Sequence, residues 1–564
     1  MRSHFGCASD LAASERGYAG PDEIQTWVKV PSDLIFVQVK DPFADDEEPI
    51  LLEKHRSIAS TPVTTVTEHV VIPSSTHSPA PPADNGVLTA LLVRHFKEGP
   101  SQWLDCFDTN AYYSIKVPVM VATRPMLRVA ACALAAKHLH RMCQGDSHRI
   151  LQLPHLRSSA LQWAIGGIDL KYESVRLYDE AIRYLKEAIR LDIPNHRREE
   201  MFAVVAILCQ FELIDAPSTE WRAHLSALPF LYCGTSDEMS LTSSLPNSLL
   251  HISRSVFWSL VRQDVLSAFI NETQTRLDLF DLVIWRNFGL NISSHGHFVP
   301  PSISSSTVNT PISPSPSLHT PALPHCAWLD EDTLSNALIW IMGKIINFIT
   351  SGDGIYPGDY ESPPGQRPCF GTTQEDLLER WKRLEFELSA WYDTLPDSFT
   401  PCGRTRLFLS NLEPTHSKPV PTSTEQATDV DTIDAIIFTI PMCAVTIQTY
   451  HMGRILLLSN MPQESTAIRS TVTARLRHYR QIAGLVIHHA REICGISLAG
   501  LPDAILSHTV QPLFVAGQCF EGNEERRLVV DLLRRVESDT GWATEYRVKD
   551  LQRQWAEGGL RCAR

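Results

Sequence analysis

No C-x₂-C pair occurs anywhere in this chain of 564 residues. Of its 13 cysteines, the nearest neighbours, Cys132 and Cys143, have ten residues between them, and Cys7 stands alone until Cys106. Thiolate zinc sites are built from closely spaced cysteine pairs, so this spacing offers neither a zinc finger nor a binuclear cluster. Residues 1–20 lack the continuous apolar core of a signal peptide. No stretch reaches the ~18 uncharged apolar residues of a membrane span, and the apolar run 433–447 is short and broken by Pro441. Long basic clusters are missing too. The best, Arg475-Leu476-Arg477-His478-Tyr479-Arg480, has helical spacing and reads as a solvated helix face. A net charge of −14 excludes binding of nucleic acid over the whole surface. These absences predict a soluble intracellular chain with no membrane contact. Its cysteines are then reduced and buried as small hydrophobes, and the sequons at Asn271 and Asn291 go unused.

Catalytic signatures are absent as well. Gly495-Ile496-Ser497-Leu498-Ala499-Gly500 carries one residue too many for a G-x-S-x-G elbow and has no strand before it. Gly352-Asp353-Gly354 does not extend to G-x-G-x-x-G, and no phosphate-binding G-x-x-x-x-G-K-[ST] occurs. His138 and His140 stand two apart, as no helical metal pair does, and His488-His489 fails likewise. The expectation is a protein that is not an enzyme, with no catalytic, cofactor-binding or metal-ligating residue to assign.

What is present is helix after helix. Hydrophobic residues make up 43% of the chain, enough for a sizeable core. Pro125 suits a first helical turn. It is followed by Ala130, Ala131, Ala133, Ala135 and Ala136, with Leu127, Leu134 and Leu139 on one stripe. Residues 201–214 form an apolar run too long for a strand, and 257–269, 334–349 and 373–392 show helical spacing. Residues 524–536 are amphipathic, with Leu528, Val529, Leu532, Leu533 and Val536 inward. The segment 178–189 resembles the second helix of a tetratricopeptide unit, but no second copy follows at that period, so it reads as an ordinary bundle helix. Alternating patterns are scarce, 34–39 being the best. The fold class expected is all-α, a large helical domain with Pro/Ser-rich disordered insertions.

Three stretches read as linkers: 60–86, 293–324 and 399–428. Residues 1–86 are expected to be largely irregular, and 87–564 to form one domain with a disordered insertion at about 293–324. Within that insertion Thr310, Ser313, Ser315 and Thr320 each precede proline, as substrates of proline-directed kinases do. Residues 41–52 mix acidic and bulky apolar side chains, and read as a solvated surface loop rather than an activation segment.

Four groups of residues, in order, carry a resemblance. The first is Leu91-Leu92-Val93-Arg94-His95-Phe96, then Trp103-Leu104-Asp105-Cys106-Phe107-Asp108 and the Ala-rich helix. The second is Glu220-Trp221-Arg222-Ala223-His224-Leu225, followed by Trp258-Ser259-Leu260-Val261-Arg262-Gln263-Asp264-Val265. The third is Leu388-Ser389-Ala390-Trp391-Tyr392-Asp393-Thr394-Leu395-Pro396, leading to Tyr450-His451-Met452-Gly453-Arg454. The last is Ala516-Gly517-Gln518, then Ser538-Asp539-Thr540-Gly541-Trp542 and 551–555. Together they resemble the second variety of the fungal-specific transcription factor domain, the helical regulatory domain of Zn₂Cys₆ zinc-cluster regulators. Residues 27–31 and 36–42 look like the segment that follows the zinc cluster there, as if the chain starts where the cluster ends.

The resemblance implies a nuclear transcription regulator of a fungal pathway, a secondary-metabolite gene cluster being one such pathway. Such domains sense metabolites, bind partners or hold an activator silent. The implied partners are the transcriptional machinery or a cluster-bearing relative, together with a small-molecule effector. DNA is contacted only indirectly unless a zinc cluster lies upstream. The family shares no catalytic residues, and Trp103, Trp258 and Trp542 are expected to be core residues rather than ligand contacts. A helical binding or adaptor module with no direct promoter role is the alternative reading.

Overall fold

A computed structural model describes residues 85–143, 168–191, 198–215, 224–225, 252–299, 331–351, 374–409, 432–462 and 472–562. Twelve long helices dominate these described residues. They are α1 (Asn85–Glu98), α2 (Pro125–Cys143), α3 (Leu170–Arg190), α4 (Arg198–Leu213), α5 (Arg254–Asn271), α6 (Glu331–Ser351), α7 (Gln374–Asp393), α8 (Pro441–Ser459), α9 (Val472–Leu498), α10 (Val510–Cys519), α11 (Asn523–Thr540) and α12 (Glu545–Cys562). Among the described residues the fold is all-α apart from one antiparallel strand pair, β1 (Gly403–Phe408) and β2 (Thr432–Ile437), registered with Gly403 opposite Ile437 and Phe408 opposite Thr432.

Helix ends follow their local chemistry. Asp169 caps α3 by accepting hydrogen bonds from Lys171 N (3.0 Å) and Tyr172 N (3.1 Å). That helix is amphipathic, turning Leu177, Ala181 and Leu185 inward against α2, which confirms the reading of 178–189 as part of a single bundle helix. Gly541 ends α11 in the left-handed region (φ +67°), where a side chain would be strained. Its carbonyl accepts from Arg141 Nε at 2.9 Å, tying the end of α11 to α2.

Helices α4, α5 and α6 are buried nearly all round, so their sequences are apolar with little periodicity. By length and composition α6 could cross a membrane, but 83% of that window is buried inside the protein. Packing runs α2–α4–α5–α6–α8–α10–α11 and returns from α11 to α2, a closed ring of helices. A single hydrophobic cluster extends through it from Leu88 to Leu551.

The structure corrects three expectations. The stretch 399–428 is not wholly a linker, because 403–408 form β1. Its Arg404 and Arg406 side chains are held by Glu492 (2.7 Å) and Asp434 (3.3 Å), and cations suit an open sheet edge. The cysteines are not uniformly buried: Cys106, Cys132, Cys209, Cys443 and Cys494 are, whereas Cys402 beside β1 is exposed. The stretch 60–86 also overruns by two residues into α1. The strand reading at 34–39, the acidic segment 41–52, Gly352-Asp353-Gly354 and the four proline-directed sites lie outside the described residues. The basic run at 475–480 opens α9 and its side chains are exposed, as a solvated helix face requires.

Candidate functional site

At the centre of the helical ring lies a cavity of about 120 Å³. Its wall is mostly apolar. Phe269 and Leu266 of α5, Met342 and Ile346 of α6, and Met452 of α8 meet Trp103, Phe107 and Trp542 there. No Asp or Glu is among the lining residues, while Arg262, Gln263, Ser259, Ser507 and His508 are.

Arg262 projects from the middle of α5 and is 8% exposed. One guanidinium nitrogen, Nη2, donates to Leu104 O, and Nη1 lies 3.5 Å from Asn336 Oδ1. Asn336 is itself oriented by donating Nδ2–H to Phe107 O (3.1 Å). The Arg262 guanidinium carbon also stands 5.4 Å from the Phe107 ring centroid, a cation–π distance. Among the described residues no carboxylate forms an ion pair with it. Asp105 and Asp108 act only through space, since their oxygens accept from Tyr113 N, Ser114 N, Asn110 N and Tyr112 N at 2.7–3.1 Å. Burial therefore lowers the Arg262 pKa, the nearby acids offsetting only part of the shift.

The next residue, Gln263, donates Nε2–H to Ala206 O at 2.9 Å. A carbonyl can only accept, so this bond fixes the amide orientation and leaves Oε1 as a buried acceptor with no partner. Ser507 Oγ is in the same condition. Both residues are more than nine-tenths buried, and both line the cavity. An orphaned buried polar atom costs about 1–3 kcal/mol, and two on one cavity wall mark a place where a ligand would restore the lost bonds.

The remaining polar groups are satisfied and serve as frame. Ser259 Oγ donates to Val256 O (2.9 Å) and so accepts from Tyr113 O–H (2.8 Å). His508 Nε2–H donates to Trp103 O at 2.9 Å, and burial, then Arg262, lowers its pKa to about 4. The imidazole is thus neutral at pH 7. Gln511 accepts from Arg547 Nη2 (2.8 Å), and Trp103 packs edge-on against Trp542 at 5.4 Å.

The sequence reading assigned no site residue. Of the three tryptophans it placed in the core, Trp258 is a core residue, donating Nε1–H to Phe288 O (3.0 Å), whereas Trp103 and Trp542 are buried and also wall the cavity. Arg262 and Gln263 lie within 258–265, where nothing in the sequence separates them from their neighbours. His138 belongs instead to a buried pair, with His95 Nε2 at 2.9 Å from its Nδ1, while its own Nε2–H donates to Thr540 O (3.0 Å). His489 pairs with His451, Nδ1 to Nδ1 at 2.8 Å.

The architecture is thus that of a helical domain with a small, mostly apolar cavity among its helices. The chain has a narrower likeness in sequence: over residues 90–268 it matches the family described as the fungal-specific transcription factor domain. It is also 31% identical over 520 residues to a protein named transcription activator AMTR1, from Alternaria alternata. The alignment covers 83% of this chain and 63% of that protein, so the chain spans less than two thirds of its relative's length. The family's description and the relative's name both refer to transcription. No solved structure matches the chain.

Proposed function

We propose that this chain is a nuclear transcription regulator whose helical ring is a regulatory domain governed by a small-molecule effector in the central cavity. The match of residues 90–268 to the family carries the reading. The cavity adds to it: the matched region contributes Trp103, Leu104, Phe107, Gln210, Arg262 and Gln263, and residues 339–546 close the other side. An occupant touching both halves would change how α4 and α5 pack against α6, α8 and α10, and a ligand shifts an equilibrium by its differential affinity for two such arrangements. The whole of 87–564 acts as one regulatory unit in this reading, with 293–324 as an insertion. The partners are the transcriptional machinery or a cluster-bearing relative, and the controlled genes belong to a fungal pathway such as a secondary-metabolite cluster.

The test is a fusion of this chain to an unrelated DNA-binding domain, with a reporter gene behind that domain's site. The expected result is nuclear accumulation and reporter output that differs from that of the DNA-binding domain alone. A cytoplasmic fusion with unchanged output would favour an adaptor without a promoter role.

A further inference from the structure

From the cavity wall we infer the chemical class of the occupant: a small hydroxylated monocarboxylic acid with a flat apolar body, its carboxylate on Arg262 and its hydroxyl on Gln263 Oε1. This rests on the reading of the cavity as an effector site and adds the ligand chemistry to it.

The charge comes first. Arg262 is a permanent cation without an ion pair among the described residues, and the residues that line its cavity include no Asp or Glu. Two of its five N–H groups are engaged, by Leu104 O and Asn336 Oδ1. A buried charge without a partner is strongly unfavourable, and a guanidinium matches a carboxylate with paired N–H donors better than any other small anion of one charge. An ammonium group is excluded by the same inventory, because nothing on the wall would neutralise it. The occupant is therefore an acid and not an amino acid.

The second contact follows from Gln263. Its Oε1 can only accept, its orientation is fixed by Ala206 O, and it lies on the cavity wall one residue from Arg262. It calls for an uncharged donor on the ligand, and a hydroxyl is the simplest. Ser507 Oγ, the other orphan, can accept from that hydroxyl or donate to the carboxylate. Size and shape complete the description. A cavity of about 150 Å³ holds benzene, so the 120 Å³ bounded by Trp103, Phe107, Phe269 and Trp542 limits the apolar body of the occupant to no more than one ring. Aromatic walls also favour a flat body, through stacked or edge contacts.

The experiment uses the purified chain, with four probes of one shape measured by calorimetry: 4-hydroxybenzoate, benzoate, 4-hydroxybenzamide and phenol. The expected order places 4-hydroxybenzoate first, at least tenfold tighter than 4-hydroxybenzamide and severalfold tighter than benzoate. Arg262→Met should remove the preference for acid over amide while leaving phenol binding within about twofold. Gln263→Leu should remove the preference for 4-hydroxybenzoate over benzoate. The unmutated protein already decides the matter, so a variant that fails to fold does not protect the inference. Equal affinity for acid and amide, or no binding of any probe, overturns it. If the acid binds as described but reporter output of the fusion does not respond, the ligand class stands and the regulatory reading falls.

Discussion

Lys344 Nζ lies 2.8 Å from Glu387 Oε1 and 3.1 Å from Oε2, with both residues almost wholly buried. The pair is the reason a charge is tolerated in the middle of the otherwise apolar α6. Lys344 also donates to Gly296 O (3.0 Å) and sits 3.3 Å from the Trp340 ring centroid. Burial lowers the Lys344 pKa, and Glu387 holds part of it back. Removing one partner strands the other charge, so Glu387→Leu should destabilise the fold by roughly 3–5 kcal/mol. The double variant Lys344→Met with Glu387→Leu should recover most of that loss. Urea unfolding of the three proteins checks this, and a double variant as unstable as the single would contradict it.

Gly495 marks the place where β2 lies against α9. A Cβ there would collide with Asp434 O and come within 2.9–3.0 Å of the Ile436 side chain. Backbone cannot yield cheaply, so Gly495→Ala should cost about 1–3 kcal/mol, as overpacked sites do. Gly484, on the same helix, has nothing within 4 Å of its added Cβ. Gly484→Ala should therefore stabilise by roughly 0.5–1 kcal/mol through helix propensity. Thermal melts that shift in opposite directions would bear out the close approach of strand to helix.

How much of this could be read beforehand depended on whether a feature was local. Helices α2, α5, α6 and α7 begin and end within a few residues of the runs that announced them, because apolar periodicity and caps are written in neighbouring residues. Strand β1 escaped notice because Gly403-Arg404-Thr405-Arg406 has no alternating apolar face. Its pairing comes from β2, 24 residues beyond its end. The cavity was less legible still. Whether a polar residue on a buried helix is core or site depends on its partners, and those of Arg262 and Gln263 come from Leu104, Asn336 and Ala206. Ser507 lies in a single 3₁₀ turn, where no periodicity exists to mark it.

Acid should weaken the fold well before the carboxylates as a class are protonated. Burial lowers the pKa of His451 and His489 to about 3, and of His224 and His508 to about 4. Around the His451–His489 pair, His488 and Arg454 add to the lowering, and Glu492 opposes it at His489. In the unfolded chain these imidazoles titrate near 6.5. Below that pH the unfolded state binds protons that the folded state refuses, so stability falls as pH falls, by up to about 1.4 kcal/mol per pH unit for each group. Asp105, raised to about 6 by its own burial, works in the opposite sense below that value, as do Asp264 and Asp503. The loss should thus set in as the pH falls through 6.5 and continue below it. Urea midpoints measured from pH 7.5 to 5 should decline, and a flat profile would refute the buried neutral imidazoles.

The protein purified as residues 1–564 should not recognise a DNA sequence by itself. Specific readout needs a folded element that sets side chains against base edges, together with cations that neutralise phosphates. The spacing of the 13 cysteines supplies no zinc cluster, and the net charge of −14 opposes a duplex. The exposed start of α9 offers Arg475, Arg477 and Arg480, three cations on one helix. That number would yield weak, salt-sensitive contact without sequence preference. In a mobility-shift assay with competitor DNA, promoter fragments and scrambled fragments should therefore behave alike, and any residual binding should vanish as salt is raised. Restoring specificity should require a second protein that carries a DNA-binding element, and its addition should produce a shift containing both chains. A specific shift by the purified chain alone, resistant to competitor, would show that a DNA-reading element exists within residues 1–564.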